Sequence, residues 1–376
     1  MPGLIDSTLR EGEQGVGTRF SLADKVRIVR LLAKLGIEEI ELGIAGGTHR
    51  LEELIRQCRS VRPQTRLALW CRCRTEDIRG AARLRPEVLS LSMPASDLHL
   101  EQRLGRDREW ATSALRSAIG QARALGVINI SVGIEDASRA EPRFVDTLAR
   151  LATEAGANRI RLADTVGICS PARMGELVRR VRRVTPIAIG VHCHNDFGMA
   201  TANTVAALEA GAQWGDVTVL GLGERAGLAR LEEVVGYLAL GRGRHHYRTT
   251  LLKPLAATVA RAANRPIAPH QPVVGATIFA CETGLHLQGL LRNPATYEPF
   301  APERVGASRQ LFFGDKVGKR AVQELMASKG KPVAQAGLDL LANAIRREAR
   351  ERQRPLTEIE LCRLADTIPD EPAASA

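Results

Sequence analysis

Ile187-Ala188-Ile189-Gly190-Val191-His192-Cys193-His194-Asn195-Asp196-Phe197-Gly198 is a short apolar run that ends in His-x-His and then in a turn. Pro186 bounds it upstream. Rich in Ile and Val, it reads as a strand of a parallel sheet, buried on both faces. Side chains two apart on a strand share a face, so His192 and His194 project together where the strand ends. Two neutral imidazoles side by side can share one divalent metal ion; a hydrogen-bonded pair of core histidines is the alternative.

On either side of it the same kind of run recurs, with helical stretches between. Upstream strands are expected at Leu4–Asp6, Ile37–Gly43, Arg66–Cys71, Val88–Ser92, Gly126–Gly133 and Arg159–Asp164, and an eighth at Asp216–Leu220. Helices are expected over Leu22–Leu35 between a Ser21 cap and a Gly36 stop, near Arg50–Cys58, and from Thr75. Others follow over Asp107–Leu125, Pro142–Glu154, from the Ser170-Pro171 cap, over Gly198–Glu209 and near Leu231–Leu240. Eight alternating units in about 240 residues match the (β/α)8 TIM barrel, whose usual length is about 250. A doubly wound sheet is disfavoured because no GxGxxG or Walker pattern follows the first strand. Residues 1–250 are thus expected to form a TIM-barrel catalytic domain. Residues 251–376 are expected to form a linker, marked by Pro266, Pro269 and Pro272, and a smaller helical C-terminal subdomain. The tail after Pro369 reads as disordered.

Composition narrows the function classes. With 44% apolar and 25% charged residues, the 376-residue chain is of ordinary globular make-up. No basic start with an apolar h-region and no bilayer-length apolar run is seen, so no membrane is expected. Seven cysteines without scaffold spacing fit reduced thiols in a cytoplasmic protein, and Cys71-Arg72-Cys73 lacks a redox or zinc spacing. The +11 charge raises the question of nucleic acid, but aromatics are only 3% and the arginines spread along helices, as at Arg179, Arg180, Arg182 and Arg183. No nucleic-acid partner is expected; the charge would help attract anionic substrates.

TIM-barrel active sites lie at the carboxyl ends of the strands, and the out-of-place polar residues fall there. Asp6, Arg10, Glu11 and Gln14 follow strand one, Ser131 and Glu135 belong to strand five, and Asp164 and Thr165 end strand six. Strand seven brings the histidines, and strand eight is followed by Gly221-Leu222-Gly223-Glu224-Arg225. Glu11 with His192 and His194 supplies a carboxylate and two imidazoles, an incomplete shell suited to catalysis. Mg²⁺ or Mn²⁺ is the first expectation for the divalent metal ion, with Zn²⁺ compatible, since this donor set does not fix the metal.

Asp6-Ser7-Thr8-Leu9-Arg10-Glu11-Gly12-Glu13-Gln14, with Lys25 following, resembles the amino-terminal signature of the homocitrate and isopropylmalate synthases. His192-Cys193-His194-Asn195-Asp196-Phe197-Gly198-Met199-Ala200 resembles their second signature, and Ala163–Gly167 and Gly221–Gly227 also fit. The resemblance spans roughly the first 310 residues and implies a metal-dependent Claisen condensation of acetyl-CoA with a 2-oxo acid, then thioester hydrolysis. It implies that Glu11, His192 and His194 hold the metal, that Arg10 and Gln14 meet the oxo acid, and that Arg10 stabilises charge developing on oxygen. Thr165 would bond the substrate carboxylate. Glu135 and His286, with Tyr297 nearby, would move protons. It also implies a homodimer in which the lid of one chain reaches over the partner's barrel.

Ser131–Ala140, Leu91–Leu100 and Ala295–Phe300 are most similar to homocitrate synthases of the nitrogen-fixation type, which implies 2-oxoglutarate as the oxo acid. Its distal carboxylate needs a cation, for which Arg72 or Arg74 at the end of strand three is the expectation. Cys281, Gln288, Arg292, Leu228 and Leu220 depart from the family's usual residues. Isopropylmalate or citramalate synthesis is the enzymatic alternative, and a non-catalytic relative the other.

Overall fold

The computed structural model describes residues 2–46, 49–61, 64–282 and 284–368. Eight parallel strands close into a barrel in chain order. They are β1 Gly3–Asp6, β2 Glu39–Ile44, β3 Arg66–Arg72, β4 Val88–Pro94, β5 Ile130–Glu135, β6 Arg159–Asp164, β7 Ala188–Cys193 and β8 Trp214–Val217. Closure comes from β1 against β8, with Ile5 opposite Asp216. Helices alternate with the strands, and local chemistry sets their ends. Ser21 and Asp24 form a capping box for Leu22–Leu35, and Gly36 at φ 105° ends it. Ser170 accepts the amide of Arg173 ahead of Pro171.

Several boundaries differ from expectation for identifiable reasons. β5 begins at Ile130 rather than Gly126, because Gly126 at φ 82° and the Val127 amide on the Ala122 carbonyl still close the preceding helix. The helix after β7 starts at Ala200 rather than Gly198, since Asn195–Gly198 is a turn whose Asn195 Oδ1 accepts the Ala200 amide at 3.0 Å. β8 spans Trp214–Val217, not Asp216–Leu220, because Leu220 takes a left-handed conformation at φ 60° that a strand cannot hold. The expected Leu231–Leu240 helix is α-helical only to Gly236 and continues as a π-turn over Tyr237–Gly241.

The chain divides into two compact units, Met1–Ile267 and Ala268–Ala376. The helix Leu252–Ala262 therefore goes with the barrel, where Leu255, Ala256 and Val259 are buried, rather than with the region after residue 250. The second unit holds helices Gly284–Arg292, Lys319–Ser328, Gln335–Glu351 and Glu358–Ala365 around Leu287, Phe313, Val322, Leu325, Leu341 and Ile345. It also carries a three-stranded sheet, with Gln310–Phe313 between Ala280–Cys281 and Leu356–Thr357, within a unit that is mainly helical. The tail expectation after Pro369 lies outside the described residues. Among those described, no helix is long and apolar enough to cross a membrane.

The barrel interior is charged to an unusual degree. Glu39 meets Arg159 at 2.5 Å low in the barrel, and Arg159 Nε donates to Ser131 at 3.0 Å. Ser131 thus belongs to this lower layer and not to the strand's carboxyl end. One layer up, Glu41 and Asp216 lie 3.2 and 3.0 Å from Arg161 Nη1. These side chains are buried, so each charge is matched by another.

Candidate active site

The loop after β1 is pinned before it presents any chemistry. Asp6 accepts the Thr8 amide at 3.0 Å and the Thr8 hydroxyl at 2.8 Å, and Thr8 Oγ1 accepts the Val219 amide at 2.9 Å. The Glu11 amide then folds back on the Ser7 carbonyl at 2.8 Å. This sets Glu11 against the end of β7. Glu11 lies 3.7 Å from His192 Nε2 and 4.0 Å from His194 Nε2. All three are buried, with ligand atoms within 4.8 Å of one another.

Hydrogen bonding and burial suit a cation among them. His192 Nδ1 is 2.7 Å from Asp216 Oδ2, so an Nδ1–H donated there leaves the Nε2 lone pair facing Glu11. Burial, and then the neighbouring His192, push His194 down to about 3, which keeps its ring neutral. Burial resists ionisation of Glu11, but the Arg10 cation beside it outweighs that and holds the carboxyl below its usual range. A carboxylate with two imidazoles on one side of a cavity is a donor set for a divalent metal ion, and these residues fit one.

The cavity beside them measures about 220 Å³ and is lined by Arg10, Gln14, Trp70, Arg103, Glu135, Arg161, Thr165 and Glu224 together with the three candidate ligands. Arg10 pairs with Glu11, bonds Glu41 through Nε at 2.6 Å and reaches Gln14 Oε1 at 3.2 Å. Burial works against the Arg10 cation, yet Glu41 and Glu11 hold its proton more firmly than usual. Thr165 Oγ1 accepts the Asp136 amide at 2.8 Å, which leaves its own O–H to donate. Glu135 accepts from Ser92 Oγ at 2.6 Å and from Arg103 at 2.5 Å.

The structure therefore gathers Arg10, Glu11, Gln14, Glu135, Thr165, His192 and His194 around one cavity. Arg72 and Arg74 line a different cavity, and Arg72 closes on Asp77 at 2.6 Å, against the expectation that they serve the catalytic one. His286 and Tyr297 belong to the second unit, where their rings pack 4.1 Å apart. Sequence reasoning missed Glu41, Asp216 and Arg161 as a supporting layer and Ser92 and Arg103 as partners of Glu135. Charged residues two apart inside otherwise apolar strands, Glu39 with Glu41 and Arg159 with Arg161, carried a readable signal for the first group. Arg103 carried none.

Residues 2–259 match the family model described as HMGL-like, and residues 273–353 the one described as homocitrate synthase post-HMGL domain-like. The homocitrate synthase of Frankia alni is 42% identical over 331 residues, covering 86% of this chain and 93% of the relative. The 2-isopropylmalate synthase 2 of Caldanaerobacter subterraneus is 36% identical over 373 residues, covering 97% and 95%. Among solved structures, the hydroxymethylglutaryl-CoA lyase of Pseudomonas aeruginosa aligns with a TM-score of 0.64 at 21% identity, over 70% of this chain and 94% of that one, a likeness of fold. Barrel and mouth together define an HMGL-like enzyme, a class that depends on a divalent metal. The chain belongs to the family of homocitrate, isopropylmalate and citramalate synthases, acyl-CoA-using condensing enzymes.

Proposed function

We propose that the chain condenses acetyl-CoA with 2-oxoglutarate and hydrolyses the thioester, giving homocitrate and CoA. The observation that carries this reading is the buried Glu11–His192–His194 trio beside Arg10 in one cavity, in a chain 42% identical to a homocitrate synthase. A divalent metal held by the trio would act as a Lewis acid toward the keto and carboxylate oxygens of the oxo acid. Arg10, fixed by Glu41, supplies a rigid positive charge where charge develops on the reacting oxygen, without reorganisation during the step. Gln14 beside it and the Thr165 hydroxyl orient the substrate carboxylate. Glu135 serves as the proton-transfer carboxylate, with His286 and Tyr297 of the second unit sharing that work, and the working unit is a homodimer.

The relatives include isopropylmalate and citramalate synthases, so a panel of oxo acids decides the substrate. Release of CoA thiol from acetyl-CoA by metal-loaded protein should be fastest with 2-oxoglutarate. Preference for 2-oxoisovalerate or pyruvate would move the chain to the isopropylmalate or citramalate branch, and no release with any oxo acid would leave a non-catalytic relative.

A further inference from the structure

A 2-oxoglutarate substrate, on which the inference rests, carries a distal carboxylate that needs a cation of its own. A second cavity of about 480 Å³ opens beside the catalytic one, with Arg72, Arg74, Arg103 and Arg106 in its wall. The two cavities share Trp70, Ser92, Arg103 and Glu135. Among these four arginines Arg103 alone lines both.

Of the other guanidinium groups, Arg10, Arg161 and Arg72 are matched by carboxylates, and Arg74 and Arg106 line the second cavity without lining the catalytic one. Arg161 faces the catalytic cavity but sits between two buried carboxylates, Glu41 and Asp216, and Arg10 between Glu11 and Glu41. Arg72 forms a two-point pair with Asp77, at 2.6 and 3.1 Å. Arg106 lies over the Trp110 ring, 5.6 Å from its centre. Arg103 is also paired, but with a carboxylate that itself lines the catalytic cavity. Its carboxylate partner is Glu135, at 2.5 Å, and half of its side chain is exposed. It also sits in a single π-turn, Leu100–Leu104, closed by Gly105 in the left-handed conformation; such wide turns are frequent at functional positions.

We propose that Arg103 is the specificity-determining cation for the distal carboxylate, and that engaging it releases Glu135. In the structure Arg103 Nη2 donates to Glu135 Oε2, while Ser92 Oγ donates to Oε1. A substrate carboxylate offers the guanidinium a charge-assisted, two-point partner and so competes with Glu135 for it. When Arg103 turns to the substrate, Ser92 still holds Glu135 in place through Oε1, and Oε2 is left able to accept a proton. An oxo acid ending in a methyl group offers nothing to Arg103, and Oε2 stays blocked. Selection against such substrates therefore appears in kcat as well as in KM.

The test measures kcat and KM of the full-length, metal-loaded wild type and of Arg103→Met, Arg103→Lys and Arg106→Met, with 2-oxoglutarate and with 2-oxobutyrate. Arg103→Met should raise KM for 2-oxoglutarate at least about tenfold, as loss of one charged contact does. It should raise kcat with 2-oxobutyrate, because Oε2 is no longer blocked. Arg106→Met should change neither. If Arg103→Met keeps the wild-type ratio of kcat/KM between the two acids, Arg103 is not the anchor. If Arg106→Met loses that ratio to the same extent, diffuse positive charge does the selecting, and the proposal falls as well. Should Arg103→Met fail to fold by circular dichroism, Arg103→Lys decides: a raised KM for 2-oxoglutarate supports the contact, an unchanged KM overturns it. Failure of the proposed function reads differently, as a wild type that itself prefers 2-oxobutyrate.

Discussion

Asp216 shows how a residue that touches no substrate can govern the site. Its Oδ2 takes both the His192 Nδ1 contact at 2.7 Å and the Arg161 contact at 3.0 Å. One carboxylate therefore fixes the tautomer of a candidate ligand and matches a buried cation. Asp216→Asn keeps the size but removes the charge, and an amide can present its NH2 to the imidazole in place of an oxygen. Metal affinity, read by titrating stripped protein with Mn²⁺, should fall by about 10–100-fold, the usual cost of disturbing the partner of a ligating histidine. Glu11→Gln should do worse, since it removes the ligand charge itself. Equal Mn²⁺ affinity in wild type and Asp216→Asn would mean that His192 is oriented by packing alone.

At the scale of the element, the loop after β8 concentrates the strain of the fold. Leu220 sits at φ 60° without being glycine, while its amide is tied to Glu232 at 3.0 Å. A branched aliphatic side chain in the left-handed region costs about 1–2 kcal/mol, and Asn tolerates it better. Leu220→Asn should accordingly raise stability by up to about 1 kcal/mol in denaturant melts, and a loss would show that the half-buried leucine side chain packs well enough to outweigh its backbone. Gly227 allows no such choice: a Cβ there would meet the Gly221 carbonyl oxygen head-on. Elements and site differ in how legible they were. Periodicity and caps such as Ser21, Gly36 and Ser170 were readable because they act over a few residues. The start of β5 and the end of β8 were not, because a helix cap at Gly126 and a left-handed Leu220 imitate strand sequence. Glu11, His192 and His194 were found because the barrel gathers strand ends at one mouth. Arg103 was invisible because nothing local distinguishes it from the other arginines of the helices, and only its approach to Glu135 does.

Across the whole molecule, buried charge is distributed so that acid and base act on the barrel in opposite senses. Glu41 links Ser7, Arg10 and Arg161 in the middle of the barrel. Burial alone would raise its pKa, but Arg10 and Arg161 outweigh that and hold its carboxyl far below the ordinary value of 4.5. A carboxylate depressed on folding stabilises the native state above its unfolded pKa and loses that contribution as the pH falls toward the folded one. Asp6, one strand away, behaves in reverse: burial raises it from 3.8 to about 7 even though Thr8 donates two hydrogen bonds to it. Its contribution is complete below about 3.8 and is lost as the pH climbs toward 7. Glu41→Gln should therefore cost about 3–5 kcal/mol at pH 7, because Arg10 and Arg161 are left short of a buried partner, and the gap to wild type should narrow below pH 4.5. Asp6→Asn, which imitates the protonated acid, should gain on wild type as the pH rises from 4 to 8. Urea midpoints of the three proteins at pH 4, 6 and 8 carry the comparison. Parallel curves for all three would mean that the interior layer does not keep its charges as assigned, and Arg10 would then lose the fixed carboxylate that holds it rigid beside the trio.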